Sequence, residues 1–161
     1  MSKFLEKIEF AILALSLAIM STVTFVNVIS RYFLTSSLAF TEELTVNLFV
    51  LLTFVGASVA ISRKGHLGFN LLFDSIQTNG KVILTLFIGL ISTLLFLVLF
   101  YFGIDMILFQ KQLGQISPAL GWPQWVFSLG LPIGSAFCLI RAIEVTSLEV
   151  KTLLAERGRQ A

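Results

Sequence analysis

The chain has 161 residues, of which 57% are hydrophobic and 12% charged, with a net charge of +2 and a mean hydropathy of +0.95. Soluble domains carry about 25% charged residues, so most of this surface must face lipid or protein, and a separate soluble domain is excluded. The small net charge gives no footing for nucleic acid. A single cysteine, Cys138, excludes an intramolecular disulfide and leaves the redox compartment unreadable. Inside an apolar run it reads as a small packing residue.

A helix needs about 20 apolar residues to cross the hydrocarbon core. Four runs qualify, at about residues 10–30, 44–61, 82–109 and 122–143. The expected fold is an all-α integral membrane protein: one membrane domain over residues 1–161 with four transmembrane helices. The runs are continuous rather than alternating, which argues against a closed barrel. Lys3 and Lys7 precede the first run but are mixed with Glu6 and Glu9, and no A-x-A site follows. That segment is expected to be an uncleaved first span, not a signal peptide.

The basic residues set the orientation. Lys3, Lys7, Arg63, Lys64, Lys81, Arg141, Lys151, Arg157 and Arg159 collect on one side, leaving Arg31 and Lys111 on the other. Both termini are therefore expected in the cytoplasm. Tyr32, Tyr101, Trp122 and Trp125 fall near the opposite interface, where amphipathic rings sit well.

In the first span, Ser16, Met20, Thr24, Asn27 and Arg31 recur at helical spacing and share one face. Packing within the chain, with hydroxyls bonded back to the helix, and packing against another protein both account for the stripe. A short link then leads to Thr41, Glu42 and Glu43. Thr41 is the expected N-cap, with the two carboxylates in the first turn, where they complement the positive helix end. One reading adds an interfacial pair with Arg31; the sharper one puts a carboxylate against a partner subunit. Acid–base catalysis would need a second group and a pocket, which the pattern does not supply. No enzymatic activity and no catalytic residues are expected.

Gly56 and Ala60 in the second span, and Gly130 and Gly134 in the fourth, are small-xxx-small pairs that let backbones approach. The pattern does not say whether the neighbour is in the same chain. Pro132, between the latter two, invites a kink.

Residues 62–80 link spans two and three. As a helix, Phe69, Leu72, Phe73 and Ile76 share one face, with His66, Asn70, Asp74 and Gln77 on or near the other. A short amphipathic interfacial helix is expected there. His66 is the only histidine, which excludes a bis-histidine haem within one chain, and no ligand set for a metal accompanies it.

Asp105 comes near the end of the third span, where water or Lys111 is within its expected reach. Arg141 is expected to snorkel or to pair with Glu144. No carboxylate is expected deep in a span. Pro118 and Pro123 stiffen the link into span four, and Pro123 suits a first helical turn. The tail from Glu149 is expected to fray as a short helix.

These polar groups, in order, resemble the small membrane subunit of TRAP transporters, the small permease (Q) or DctQ-like family. The likeness is carried by Arg31-Tyr32-Phe33, Phe40-Thr41-Glu42-Glu43-Leu44, Phe54-Val55-Gly56-Ala57 and Arg63 to His66. It continues through Ser117-Pro118-Ala119-Leu120-Gly121-Trp122-Pro123-Gln124-Trp125 and Leu131-Pro132-Ile133-Gly134. It covers about residues 5–145, with Phe40 where many members carry Trp.

The resemblance implies a four-span subunit in a bacterial inner membrane. It would scaffold a large permease (M) subunit that takes up an organic acid, of carboxylate or sialic-acid type, on a sodium gradient. A periplasmic substrate-binding protein would deliver that acid. It implies no cofactor of the chain's own, the sodium gradient being used by the large subunit. Asn27, Arg31, Glu42, Glu43, Gly56, His66, Asp74, Pro118, Pro132 and Arg141 are the expected structural or subunit-contact residues. Two other classes compete. A redox-complex membrane anchor is disfavoured by the single histidine. A small four-span exporter would couple protons through a carboxylate within a span.

Overall fold

The computed structural model describes residues 3–36, 38–63 and 78–160. Helix α1 spans Lys3–Phe33, α2 Ala39–Ser62, α3 Thr78–Gln112, α4 Gln124–Ser128 and α5 Gly130–Gln160. Four helical segments are long and apolar enough to cross a membrane: Phe4–Phe33, Ala39–Ser62, Gly80–Gln112 and Gln124–Ala155. The chain is therefore an all-α, multi-pass membrane protein. His66, Asp74 and the expected interfacial helix lie outside the described residues.

Lipid offers no hydrogen bonds, so each crossing segment must satisfy its own backbone as a helix. The prolines at 118, 123 and 132 leave α1, α2 and α3 unbroken. The helices also outrun the apolar segments. α1 starts seven residues before the expected span, and α5 continues through the tail to Gln160. Leu, Ala, Glu, Lys and Arg in those flanks favour helix, so the helices continue past the apolar segments.

The helices form an open row in the order α1, α2, α5, α3, each packed extensively on its neighbour. α5 thus separates α2 from α3. Contacts give the directions. Glu9 meets Ser58 while Asn27 meets Leu38, so α1 and α2 are antiparallel. Gly130 lies against Leu51 and Gly134 against Phe54, so α2 and α5 are parallel; Gly103 lies against Pro132 and Gly89 against Thr146, so α3 and α5 are antiparallel. The α1–α2 and α3–α4 links therefore meet at one end of the row, the link end. The chain's two ends lie at the other, the terminal end.

The α1 face turned to α2 is Glu9, Leu13, Ser16, Met20, Val23, Asn27 and Ser30, each buried or half-buried. Their alternating spacing of four and three is the 3.5-residue period of left-handed helix pairs. The expected stripe stepped by four, four, three and four residues and so drifted off this face: Ser16, Met20 and Asn27 are on it, whereas Thr24 and Arg31 are exposed. Exposed hydroxyls do bond back to their helix, Thr22 to the Ala18 carbonyl and Thr53 to that of Phe49, both at 2.8 Å.

The two glycine pairs behave differently. A Cβ on Gly134 would overlap the Cβ of Phe54, so this glycine lets α5 sit directly on α2; at Gly130 it would lie 3.3 Å from the Leu51 Cβ. The neighbour of that motif is in the same chain. At Gly56 a Cβ would meet only Leu13 Cδ2, at 3.9 Å, and Ala60 is exposed. Gly56 therefore does not serve close approach within this chain, because α1 packs on α2 through larger side chains.

The fourth span is interrupted between α4 and α5. The Leu129 N–H reaches the Val126 carbonyl at 3.4 Å, a tightened turn. Pro132 offers no donor to the Ser128 carbonyl, which explains a break one turn before it. Its ring instead packs on Gly103, 3.3 Å from where a Cβ would sit.

Candidate functional site

Two groups of polar side chains join the helices, one towards each end of the row. Towards the terminal end, Glu9 and Arg141 are both fully buried. Arg141 donates from Nε to Glu9 Oε1 at 3.0 Å and from Nη2 to Oε2 at 2.6 Å, and from Nη1 to Glu144 Oε2 at 2.8 Å. Ser58 Oγ donates to Glu9 Oε1 at 2.6 Å. One turn away, the Cys138 thiol reaches the Phe54 carbonyl at 3.0 Å. The guanidinium fork matches a carboxylate in two parallel bonds, and Ser58 fills a further lone pair. α1, α2 and α5 are thereby tied at a single point.

Arg141 therefore does not snorkel. It pairs with Glu144 as expected, but its main partner is Glu9, which hydropathy reading left at the polar edge of the first span. Glu9 lies inside the membrane-length helix of the first span, near its start, so the burial of this carboxylate comes from helix packing and not from a position deep in the span. The usable signal was periodic: Glu9 begins the four-and-three stripe that continues through Ser16, Asn27 and Ser30. At the surface nearby, Arg63 lies 3.9 Å from Glu6 and 5.0 Å from the Phe10 ring centroid.

At the link end, Glu43 reaches the α3–α4 link rather than Arg31. Its Oε2 accepts from Ser117 Oγ and from the Ala119 N–H at 3.4 Å. Ser117 Oγ also accepts from the Leu120 N–H at 3.1 Å. The link is a compact loop. Gln124 N–H bonds to Gln115 O at 2.9 Å and Ser117 N–H to Trp122 O at 2.7 Å. It starts from a Schellman end to α3, with Gly114 at φ +60. There the Gly114 N–H returns to Lys111 O and the Gln115 N–H to Gln110 O, at 3.2 and 3.1 Å. Glu43, Gln110, Gln115, Pro118 and Gln124 line an open cleft of about 630 Å³ beside it. Gln110 Oε1 is buried there without a hydrogen-bond partner among the described residues.

Asn27 Oδ1 accepts from the Leu38 N–H at 2.9 Å, and Ser30 Oγ donates to Ser36 O at 2.9 Å, so α1 holds the start of α2. Leu38, not Thr41, is the N-cap. Thr41 lies in the first turn and donates to the Leu38 carbonyl at 2.6 Å. A side chain from another helix does the capping here, which local spacing cannot reveal. Pro123, expected in the first helical turn, is the N-cap of α4.

Arg31 and Glu42 are exposed and make no ion pair among the described residues. Lys111 lies over Trp125, 5.9 Å from the ring centroid, rather than on Asp105. No group of three or more His, Cys, Asp or Glu suited to a metal ion occurs among the described residues.

Membrane-length helices joined by paired polar side chains define an all-α, multi-pass membrane protein. The chain belongs to the DctQ component family of tripartite ATP-independent periplasmic transporters, whose family model matches residues 20–152. It is 32% identical over 149 residues to the ectoine TRAP transporter small permease protein TeaB of Halomonas elongata, covering 92% of this chain and 76% of that one. It is also 32% identical to a putative TRAP transporter small permease protein of Haemophilus influenzae, covering 88% and 86%. To the C4-dicarboxylate TRAP transporter small permease protein DctQ of Rhodobacter capsulatus it is 26% identical, covering 68% and 48%. The protein is a small permease subunit of a TRAP transporter.

Proposed function

We propose that this subunit sits in the bacterial inner membrane with both termini in the cytoplasm and braces a large permease subunit. That partner carries out sodium-driven uptake of an organic acid, of carboxylate or sialic-acid type, handed over by a periplasmic substrate-binding protein. The chain itself performs no catalysis and needs no cofactor of its own.

The observation that carries this reading is the family match over residues 20–152. The use of the buried charges supports it: Glu9 and Arg141 are spent on each other, as a brace requires and a solute path does not. The relatives' names include both ectoine and C4-dicarboxylate; in this reading the other two components choose the acid.

Deleting this chain while keeping the large subunit tests the reading. Sodium-dependent uptake should disappear, and the intact chain should co-purify with the permease. Unchanged uptake in the deletion strain would overturn it.

A further inference from the structure

Contacts between the helices fix which residues stand at the same height in the row. Gly89 lies on Thr146 and Gly103 on Pro132, which sets the register of α3 on α5; Gly130 lies on Leu51 and Gly134 on Phe54, which sets that of α2. Glu9 meets Ser58 and Asn27 meets Leu38, which adds α1. In this register the polar ends of the helices are not level. Towards the terminal end, Lys7 of α1 stands level with Leu139, Arg63 of α2 with Ile143 and Lys81 of α3 with Leu154. Towards the link end, Arg31 of α1 stands outermost, Glu42 of α2 lower, and Asp105 of α3 only level with Gly130. From α1 to α3, both limits of the apolar band therefore shift towards the terminal end, by about 15–22 Å at ~1.5 Å per residue.

A bilayer is flat, so a band that slopes across the row lies flat only if the row leans. Helix axes pack about 8–10 Å apart, which makes the row roughly 25 Å across and the lean about 30–40°. The helix lengths fit the same lean. α3 has 35 residues, about 52 Å of helix, against a bilayer of about 40–45 Å with its headgroups. At that lean it spans about 40–45 Å of depth. The exposed side chains agree. Ile83, Leu86, Phe87 and Leu90 are exposed and stand closer to the terminal end than Arg63. At their height α5 already presents Ser147, Lys151 and Thr152. In an upright row these four apolar side chains would face water, which is unfavourable; leaning returns them to the acyl chains.

We propose that the whole row inserts obliquely, about 30–40° from the bilayer normal. The surface that the chain offers to lipid is a slanted band, set towards the link-end leaflet on α1 and towards the terminal-end leaflet on α3. This goes beyond the function proposed above and does not depend on it.

The test places nitroxide labels on the full chain in lipid bilayers, at single cysteines introduced at Phe4, Leu94, Ile19 and Leu108. All four positions are exposed, and Cys138 is fully buried and takes no label. Phe4 and Leu94 are level in the row, as are Ile19 and Leu108, so an upright row gives each pair one depth. Oblique insertion makes Leu94 deeper than Phe4, and Ile19 deeper than Leu108, each by about 12–16 Å across a row of this width. Depth is read from the ratio of oxygen to nickel-complex accessibility. Equal depths in either pair, or a reversed order, would overturn the proposal. Infrared dichroism of the unaltered chain in oriented bilayers checks it without substitutions. A mean helix tilt above about 25° is expected, against an ordinary average of about 20°, and a smaller tilt would overturn it.

Discussion

Arg141 in the fourth span and Glu9 near the start of the first form a two-bond ion pair, at 3.0 and 2.6 Å, with both side chains fully buried. The pair links helices that are not next to each other in the row: α2 lies between them and contributes Ser58. A buried pair adds little net stability over an apolar replacement, but removing one partner strands a charge.

Glu9→Ala or Arg141→Ala should each destabilise the subunit by about 3–5 kcal/mol, whereas Glu9→Leu combined with Arg141→Met should cost far less than the sum. Equilibrium unfolding in detergent micelles measures all three. Additive losses would mean that the two side chains do not act as a pair.

Glu43 and Ser117 share one hydrogen bond at the link end. A bond to a charged group contributes about 1.5–3 kcal/mol. Ser117→Ala and Glu43→Ala should each expose the 113–124 loop to limited proteolysis, and the double variant should be little worse than Glu43→Ala. Glu43→Ala should also weaken assembly with the permease more than insertion of this chain, to be read by pull-down against membrane level.

Gly134→Ala and Gly56→Ala should differ in sign. At Gly134 the new methyl overlaps the Phe54 Cβ and must push α5 off α2, an overpacking cost of about 1–3 kcal/mol. At Gly56 it meets ordinary contact only, so the helix gains up to about 1 kcal/mol of propensity. Thermal unfolding of the two variants side by side settles the assignment.

Asn27→Ala removes the acceptor for the Leu38 N–H and should cost about 1 kcal/mol, as loss of a helix cap does. Asn27→Asp keeps the acceptor and should recover most of it. Hydrogen exchange at the Leu38 amide should rise in the alanine variant alone.

Much of the architecture was legible in the residue order. Four crossings and, among the described residues, the absence of strands follow from apolar run length, because lipid leaves a backbone no other way to bond. Small-residue spacing marked Gly130 and Gly134 for close approach without naming the neighbour. The helix ends were less legible. Hydropathy ends at Ser30 or Ile143, while helix-forming residues carry α5 to Gln160. Of the stripe on α1, Ser16, Met20 and Asn27 lie on the packed face while Thr24 and Arg31 do not, because packing holds the face to a 3.5-residue period.

The amino-acid order by itself determined that this is a membrane protein with four crossings, and its motifs were enough to suggest the family. Pairing was beyond it. Whether Arg141 snorkels or meets Glu9, and whether Glu43 turns to Arg31 or to Ser117, depends on which helices are neighbours. Those partners are 132 and 74 residues apart. Only the tertiary arrangement decides, by setting α2 between α1 and α5 and bringing the two links to one end. The physical reason is desolvation: a charge at a closed helix contact cannot keep its water, so it takes whatever donor the packing places beside it.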